Sequence, residues 1–333
     1  MTVLPSVDGP LRLDLDDPLP SGPVLVLGDG ALGRLVAPAF ARGGWDVHRV
    51  PRRWIAGLRG ALAGASLVVS TVPDDELATE RAVLEHGGTL VSPVPRAPDV
   101  VRALRACVTE PRGTVLVNAG LAPGVTNLAA AELVARRPDA DAVEIVRTLS
   151  THATRGRAGA ARVHRELRAA AHHAVAPVPL PAPFGERCCV RVGDDDRGGL
   201  DAAADGLDVR SYICLTEPAA HGLLLALNAV AAMRALPRFL LGPAGRRTAS
   251  PPSRESIAHW VAALRGRERL AAWTIEGQGE YAAAAAAVTV FGTALLERAA
   301  LQPGVHLPED VFTLDELAAG LWGAGLDLVH HRL

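Results

Sequence analysis

Apolar residues follow two periods along this chain, and the switches between them predict the elements. Val24 to Leu27 is a short apolar run that reads as a strand. After Gly28-Asp29-Gly30-Ala31-Leu32-Gly33 the period changes. Leu32, Leu35, Val36, Ala39 and Phe40 fall on one helical face. A second strand is predicted over Trp45–Val50. Strands over Ala65–Thr71, Thr89–Pro93 and Thr114–Asn118 then alternate with helices over Glu76–Glu85, capped by Asp74, over Pro98–Cys107, and up to about Arg137. Strands alternating with helices argue for a parallel, doubly wound sheet. Pro38 lies inside the first helix, where it removes a hydrogen bond, and predicts a kink or an early end.

From about Asp141 the order loosens. Strands are expected over Ala142–Leu149, Arg187–Val192, Val209–Leu215 and Arg269–Glu276, with an acidic turn at Asp194–Arg197. Helices are expected over Gly159–Val175, Ala219–Ala235, the alanine run from Tyr281 to Ala300, and Leu314–Trp322. Pro177–Gly185 reads as a proline-rich crossing loop and residues 242–254 as a long loop. The alanine helix must lie close against a neighbour, because its side chains are so small. The change of pattern and the 333-residue length favour two domains.

The glycine hexad changes the picture from fold to chemistry. G-x-G-x-x-G after a strand and before a helix is the dinucleotide fingerprint: the glycines allow a tight turn, close approach to a diphosphate and close helix packing. The helix start offers free N–H groups to the phosphates. The other reading is a βαβ unit whose glycines serve packing alone. Gly28, Asp29, Gly30, Ala31, Leu32 and Gly33 are the candidate cofactor residues. An NAD site usually ends its second strand on a carboxylate. Here that end reads His48-Arg49-Val50-Pro51-Arg52-Arg53, which favours NADP over NAD, with Arg49, Arg52 and Arg53 on the 2′-phosphate. The same arginines, with Arg59, could instead only solvate an exposed face.

Composition narrows the chemistry. The sequence contains no lysine, so all 34 basic residues are arginines, which excludes lysine Schiff bases and the P-loop lysine. A net charge of −2 gives no reason to expect nucleic acid or an anionic membrane as partner. No apolar run reaches the ~20 residues of a membrane span. The first residues lack a secretory pattern, and Cys107, Cys188, Cys189 and Cys214 form no C-x-x-C, so reduced thiols in a cytoplasm are expected. No metal-ligand spacing is present; His306, His330 and His331 show none.

In doubly wound folds the ligand lies beyond the carboxyl ends of the strands. That selects Thr71, Val72 and Pro73, Ser92 to Val94, and Asn118, Ala119 and Gly120 for the cofactor side, with Pro123, Gly124 and Asn127 beside the substrate. Candidate acids or bases are His152, His172 (or the adjacent His173), Tyr281 and Glu280. Arg147 and Arg157 are candidates to clamp a substrate carboxylate. Each of these could equally be a packing or surface residue.

Three pieces together resemble the saccharopine dehydrogenase-like reductases: the Gly28–Gly33 loop with Thr71-Val72-Pro73, the junction Gly120-Leu121-Ala122-Pro123-Gly124-Val125-Thr126-Asn127, and the tail Pro303–Glu316. The resemblance implies an α/β fold with an N-terminal Rossmann domain (1–128), a second α/β domain with a mixed sheet (129–302), and a C-terminal segment (303–333) returning to the first. It also implies NAD(P)-dependent hydride transfer at a C–N bond of an amino-acid-like or amine substrate, and a homodimer through the second domain. Two alternatives remain: NADPH-dependent reduction of an activated C=C bond, and non-redox NADP binding. The chain departs from the family at Leu90-Val91-Ser92-Pro93, where members often carry an Asp.

Overall fold

A computed structural model describes residues 22–51, 62, 64–151, 153, 156–169, 175–193, 200, 206–236, 256–298 and 301–333. The expected turn at Asp194–Arg197 and loop at 242–254 fall wholly or mostly outside these residues. The first half runs β1 (Val24–Leu27), α1 (Gly33–Arg42), β2 (Val47–Val50), β3 (Leu67–Ser70), α2 (Ala78–His86), β4 (Thr89–Val91), α3 (Pro98–Ala106) and β5 (Thr114–Leu116). All register in parallel, in the order β12-β5-β4-β3-β1-β2, where β12 is Gly304–His306. β1 and β3 are buried along their whole length, as strands covered on both faces must be.

α1 continues unbroken through Pro38 to Arg42, so the early end expected there does not occur. Pro38 is exposed, so water can reach the carbonyl it leaves without an N–H donor. Burial of Val36, Ala37 and Phe40 outweighs the lost bond. The buried stripe is centred on these residues and Gly33; Leu35, expected inside, is 39% exposed. Asp74 does cap α2, accepting from Glu76, Ala78 and Thr79 N–H groups, but the helix starts two residues later than expected.

α4 (Val125–Arg136) leads to the second half: β6 (Ala142–Leu149), α5 (Arg157–Ala169), β7 (Val175–Pro179), β8 (Glu186–Arg191), β9 (Asp208–Leu215), α6 (Pro218–Ala229), β10 (Ser256–Arg265) and β11 (Glu268–Gln278). α7 (Glu280–Glu297) follows, then β12, α8 (Pro308–Val311), α9 (Leu314–Gly323) and β13 (Asp327–Arg332). The second sheet is mixed, ordered β13-β11-β10-β6-β9-β8-β7, with β6 and β9 parallel and the other neighbours antiparallel.

Three expectations need correction here. The helix expected to reach Val175 gives way to β7, and the supposed crossing loop at Pro177 lies within that strand. Among the described residues β7 is the sheet edge and pairs only with β8, and an edge is where prolines lacking an N–H are tolerated. The helix expected over Ala219–Ala235 stops at Ala229, and Ala231 takes a φ of 58° before a short 3-10 turn at Met233–Ala235. β10 was not anticipated; it forms a hairpin with β11 across Gly266-Arg267, Gly266 having a φ of +64°.

α4 and α7 join the two sheets in one core. Val24, Val26 and Leu67 of the first sheet belong to the same cluster as Val143, Ile145 and Val261 of the second, with Leu128, Leu133, Ala287 and Phe291 in it. The alanine helix does pack closely: a Cβ on Gly292 would lie 2.7 Å from the Phe40 ring. Residues after 303 serve both sheets, β12 extending the first and β13 pairing with β11 of the second.

Candidate active site

The carboxyl ends of β1, β3, β4 and β5 open onto a cleft of about 600 Å³, closed on its far side by the second sheet, α5 and the start of α7. The first wall is mostly backbone. Gly28 has a φ of +106°, and a Cβ there would meet the Thr71 hydroxyl at 2.7 Å. At Gly33 a Cβ would lie 2.1 Å from the Gly28 carbonyl oxygen. A Cβ on Gly30 would touch nothing within 4 Å. The outer glycines are therefore imposed by packing, whereas nothing among the described residues requires Gly30. Thr71 donates to the Leu27 carbonyl (2.8 Å), tying β3 to the loop, and Arg34 Nε holds the Asp29 carbonyl (2.8 Å).

Beside this loop lies Pro93–Arg96. Asn118, buried with a φ of 59°, accepts from Arg96 N–H (2.6 Å) and donates to the Arg96 carbonyl (3.1 Å). The Arg96 guanidinium lines the cleft and pairs with buried Glu80 at 2.7 Å. The sequence placed Asn118 and Ala119 at the cofactor; the structure buries both, and Asn118 holds the neighbouring loop. Pro123, Gly124 and Asn127 form the buried turn into α4, where Asn127 Oδ1 accepts the Gly124 N–H (3.2 Å) in a helix cap. None of the three lines the cleft.

The second wall is made of side chains. Arg147 and Leu149 come from β6, His259 from β10, Arg157, Arg162 and Arg165 from α5, and Glu280 and Tyr281 from α7. Arg147 is buried and paired with Glu166. The Tyr281 hydroxyl accepts from Gly156 N–H (3.2 Å), and a Cβ on Gly159 would lie only 2.2 Å from that oxygen. His259 is buried; desolvation and the Arg147 cation push its pKa down from 6.5 to about 3. Among the described residues, five arginines line the cleft: Arg96 and Arg147 are paired with Glu80 and Glu166, and Arg157, Arg162 and Arg165 stand with Asp29, Asp75 and Glu280.

The structure thus brings together Gly28, Asp29, Gly30, Ala31, Leu32, Thr71, Val72, Pro73, Gly120, Arg147, Arg157, Glu280 and Tyr281. Gly33 packs beneath the loop, and Arg49 is exposed on β2 away from the cleft. Arg52, Arg53, Arg59, His152, His172 and His173 lie outside the described residues. His330 and His331 stand on β13 against Trp273 and Thr274, and His306 bonds the Gln302 carbonyl. Among the described residues no group of three or more His, Cys, Asp or Glu could hold a metal, and no helix is long and apolar enough to cross a membrane. Arg96, Arg162, Arg165 and His259 were missed. Arg96 sits two residues past the selected Ser92–Val94 segment, and His259 lies on the unanticipated β10.

Among solved structures, apo saccharopine dehydrogenase (L-Glu forming) from Saccharomyces cerevisiae superposes with a TM-score of 0.55 at 12% identity, covering 94% of this chain and all of that one. The two chains share a fold. An oxidoreductase from Sinorhizobium meliloti (TM-score 0.36, 11% identity, 92% and 95% covered) and the WlbA dehydrogenase from Thermus thermophilus in complex with NAD and UDP-GlcNAcA (TM-score 0.38, 14% identity, 91% and 93% covered) are also similar. No family model matches the chain, and no curated protein sequence is significantly similar to it.

Proposed function

We propose that the chain is an NADP-dependent oxidoreductase that acts on a C–N bond of a small carboxylate-bearing, amino-acid-like substrate. The observation that carries this reading is Gly30. It leaves open space at the carboxyl end of β1, in the same cleft as Arg147, Arg162, His259 and Tyr281. A cradle that the protein's own packing does not require fits a diphosphate brought close to the backbone. The shared fold supports the two-domain arrangement around such a cleft. The sequence at the end of β2, His48-Arg49-Val50-Pro51-Arg52-Arg53, offers no carboxylate and three arginines, which favours the 2′-phosphate of NADP.

When bound, the nicotinamide supplies or accepts the hydride. This chain's own residues do the rest. The arginines of the second wall hold the substrate's carboxylate and set its orientation. In this reading Tyr281, whose hydroxyl accepts from Gly156 N–H, passes a proton to or from the substrate nitrogen. The arginine-lined wall weighs against the alternative reading, in which an enoyl lipid would need an apolar pocket.

Fluorescence titration tests the cofactor: NADPH should bind at least ~10-fold tighter than NADH, and equal affinities would overturn the NADP preference. NADPH oxidation should then be followed with small 2-oxo acids and amines. Tyr281→Phe should lower kcat ~100-fold with little change in NADPH affinity. Turnover on an enoyl substrate and on no imine would move the reaction to C=C reduction.

A further inference from the structure

The ladder between β10 and β6 is regular as far as Trp260 opposite Val146, and beyond it side chains take over. Ala258 N–H donates to the Thr148 hydroxyl oxygen (2.9 Å), and Thr148 N–H donates to Nδ1 of His259 (3.3 Å). The second bond fixes the state of the imidazole. A nitrogen that accepts from a backbone N–H carries no proton, so the ring's one proton sits on Nε2. A cationic ring would turn a second N–H against Thr148, beside the Arg147 guanidinium. His259 is 2% exposed and lines the cleft floor together with Arg147, whose charge is held in place by Glu166.

We propose that His259 anchors the substrate as a permanently neutral donor, its Nε2–H and the Arg147 guanidinium holding the oxygens of one substrate carboxylate, and that it does not supply the reaction's proton. This rests on the reading of the cleft as the substrate site. It divides the labour at the site: the histidine orients the substrate, and proton transfer belongs to another group. It also accounts for a buried histidine beside a buried arginine, since a neutral imidazole can share a carboxylate with a guanidinium where a second cation would be repelled.

Two measurements test it. Long-range nitrogen–proton spectra of the full chain, with His259→Gln to assign the signal, report the tautomer without any substrate. The Nε2–H form should persist unchanged from about pH 8 to about pH 5. An Nδ1–H form, or a ring that titrates in that range, overturns the proposal. Oxalate serves as the carboxylate probe, followed by calorimetry on protein saturated with NADP. His259→Phe should weaken oxalate ~10-fold or more while NADPH affinity stays within about twofold, and His259→Gln, which keeps an N–H donor, should recover most of the loss. Equal oxalate affinity in wild type and His259→Phe, or no oxalate binding by the wild type, overturns it. Failure of the wild type to bind NADPH would instead overturn the dinucleotide reading, on which the tautomer measurement does not depend.

Discussion

The two walls of the cleft are built from different materials. The wall on the parallel sheet is backbone: a glycine loop, the ends of β3 and β4, and a peptide turn held by Asn118. The wall on the mixed sheet is side chains: guanidinium, imidazole and phenol groups from β6, β10, α5 and α7. Backbone can approach a diphosphate of any origin closely, and this suits a common cofactor. Side chains differ in reach, charge and protonation, and this suits selection of one substrate. The contrast implies that damage to the packed glycines of the first wall strikes folding and cofactor together, whereas damage at the open Gly30 or on the second wall can separate stability from binding.

The largest effect should come from Gly33→Ala, whose Cβ would press on the Gly28 carbonyl at 2.1 Å. Destabilisation above ~3 kcal/mol and loss of NADPH binding are expected, read by denaturant unfolding and fluorescence. Gly30→Ala sharpens the test. It meets nothing within 4 Å, so stability should hold while NADPH weakens ~10-fold or more. Normal NADPH binding by Gly30→Ala would break the description of this wall as a diphosphate cradle.

On the second wall, Glu166→Gln leaves the buried Arg147 charge without its carboxylate and should cost about 3 kcal/mol in urea unfolding. A loss below ~1 kcal/mol would show that the rest of the wall neutralises Arg147.

His259 should give a smaller, pH-dependent effect. Its folded pKa of about 3 lies below the ordinary 6.5, so between these values the unfolded chain binds more protons than the folded one. Its contribution is fully present above about pH 6.5 and is lost as pH falls toward about 3. From about pH 7 to about pH 5, wild type should lose roughly 2 kcal/mol more stability than His259→Gln. Parallel losses in the two proteins would show that the ring is not held neutral by the fold.

Smallest is Arg49→Ala, on an exposed strand end. It should narrow the NADPH-over-NADH preference a few-fold, by ~1 kcal/mol, without changing stability. An unchanged preference would assign discrimination to Arg52, Arg53 or another group.

Legibility in the sequence follows the same division. The first wall is local: Gly28–Gly33 and Thr71–Pro73 are contiguous, so strand ends and glycine spacing reveal them. The second wall is gathered from Arg147, Arg162, His259 and Tyr281, far apart in the chain, and no spacing rule joins them. Arg147 and Tyr281 were named only as candidates among many. His259 was invisible because β10 is buried on both faces and shows no alternation, so Ile257-Ala258-His259-Trp260-Val261 carries no strand period. The prolines of β7 misled for the opposite reason: a loop-like composition can lie on a sheet edge. Asn118 and Asn127 were legible as polar residues beside the site, but only the fold shows that they hold backbone.

β12 and β13 carry one more consequence, for how the protein is made. One forms the outer strand of the first sheet and the other the outer strand of the second, and both come from the last thirty residues of this sequence. During synthesis, therefore, both sheets wait with a bare margin, β5 on one and β11 on the other, until those residues leave the ribosome. Open strand margins invite pairing with other chains. A premature stop near residue 300 would leave both margins uncovered at once, and pairing with other chains is the expected result.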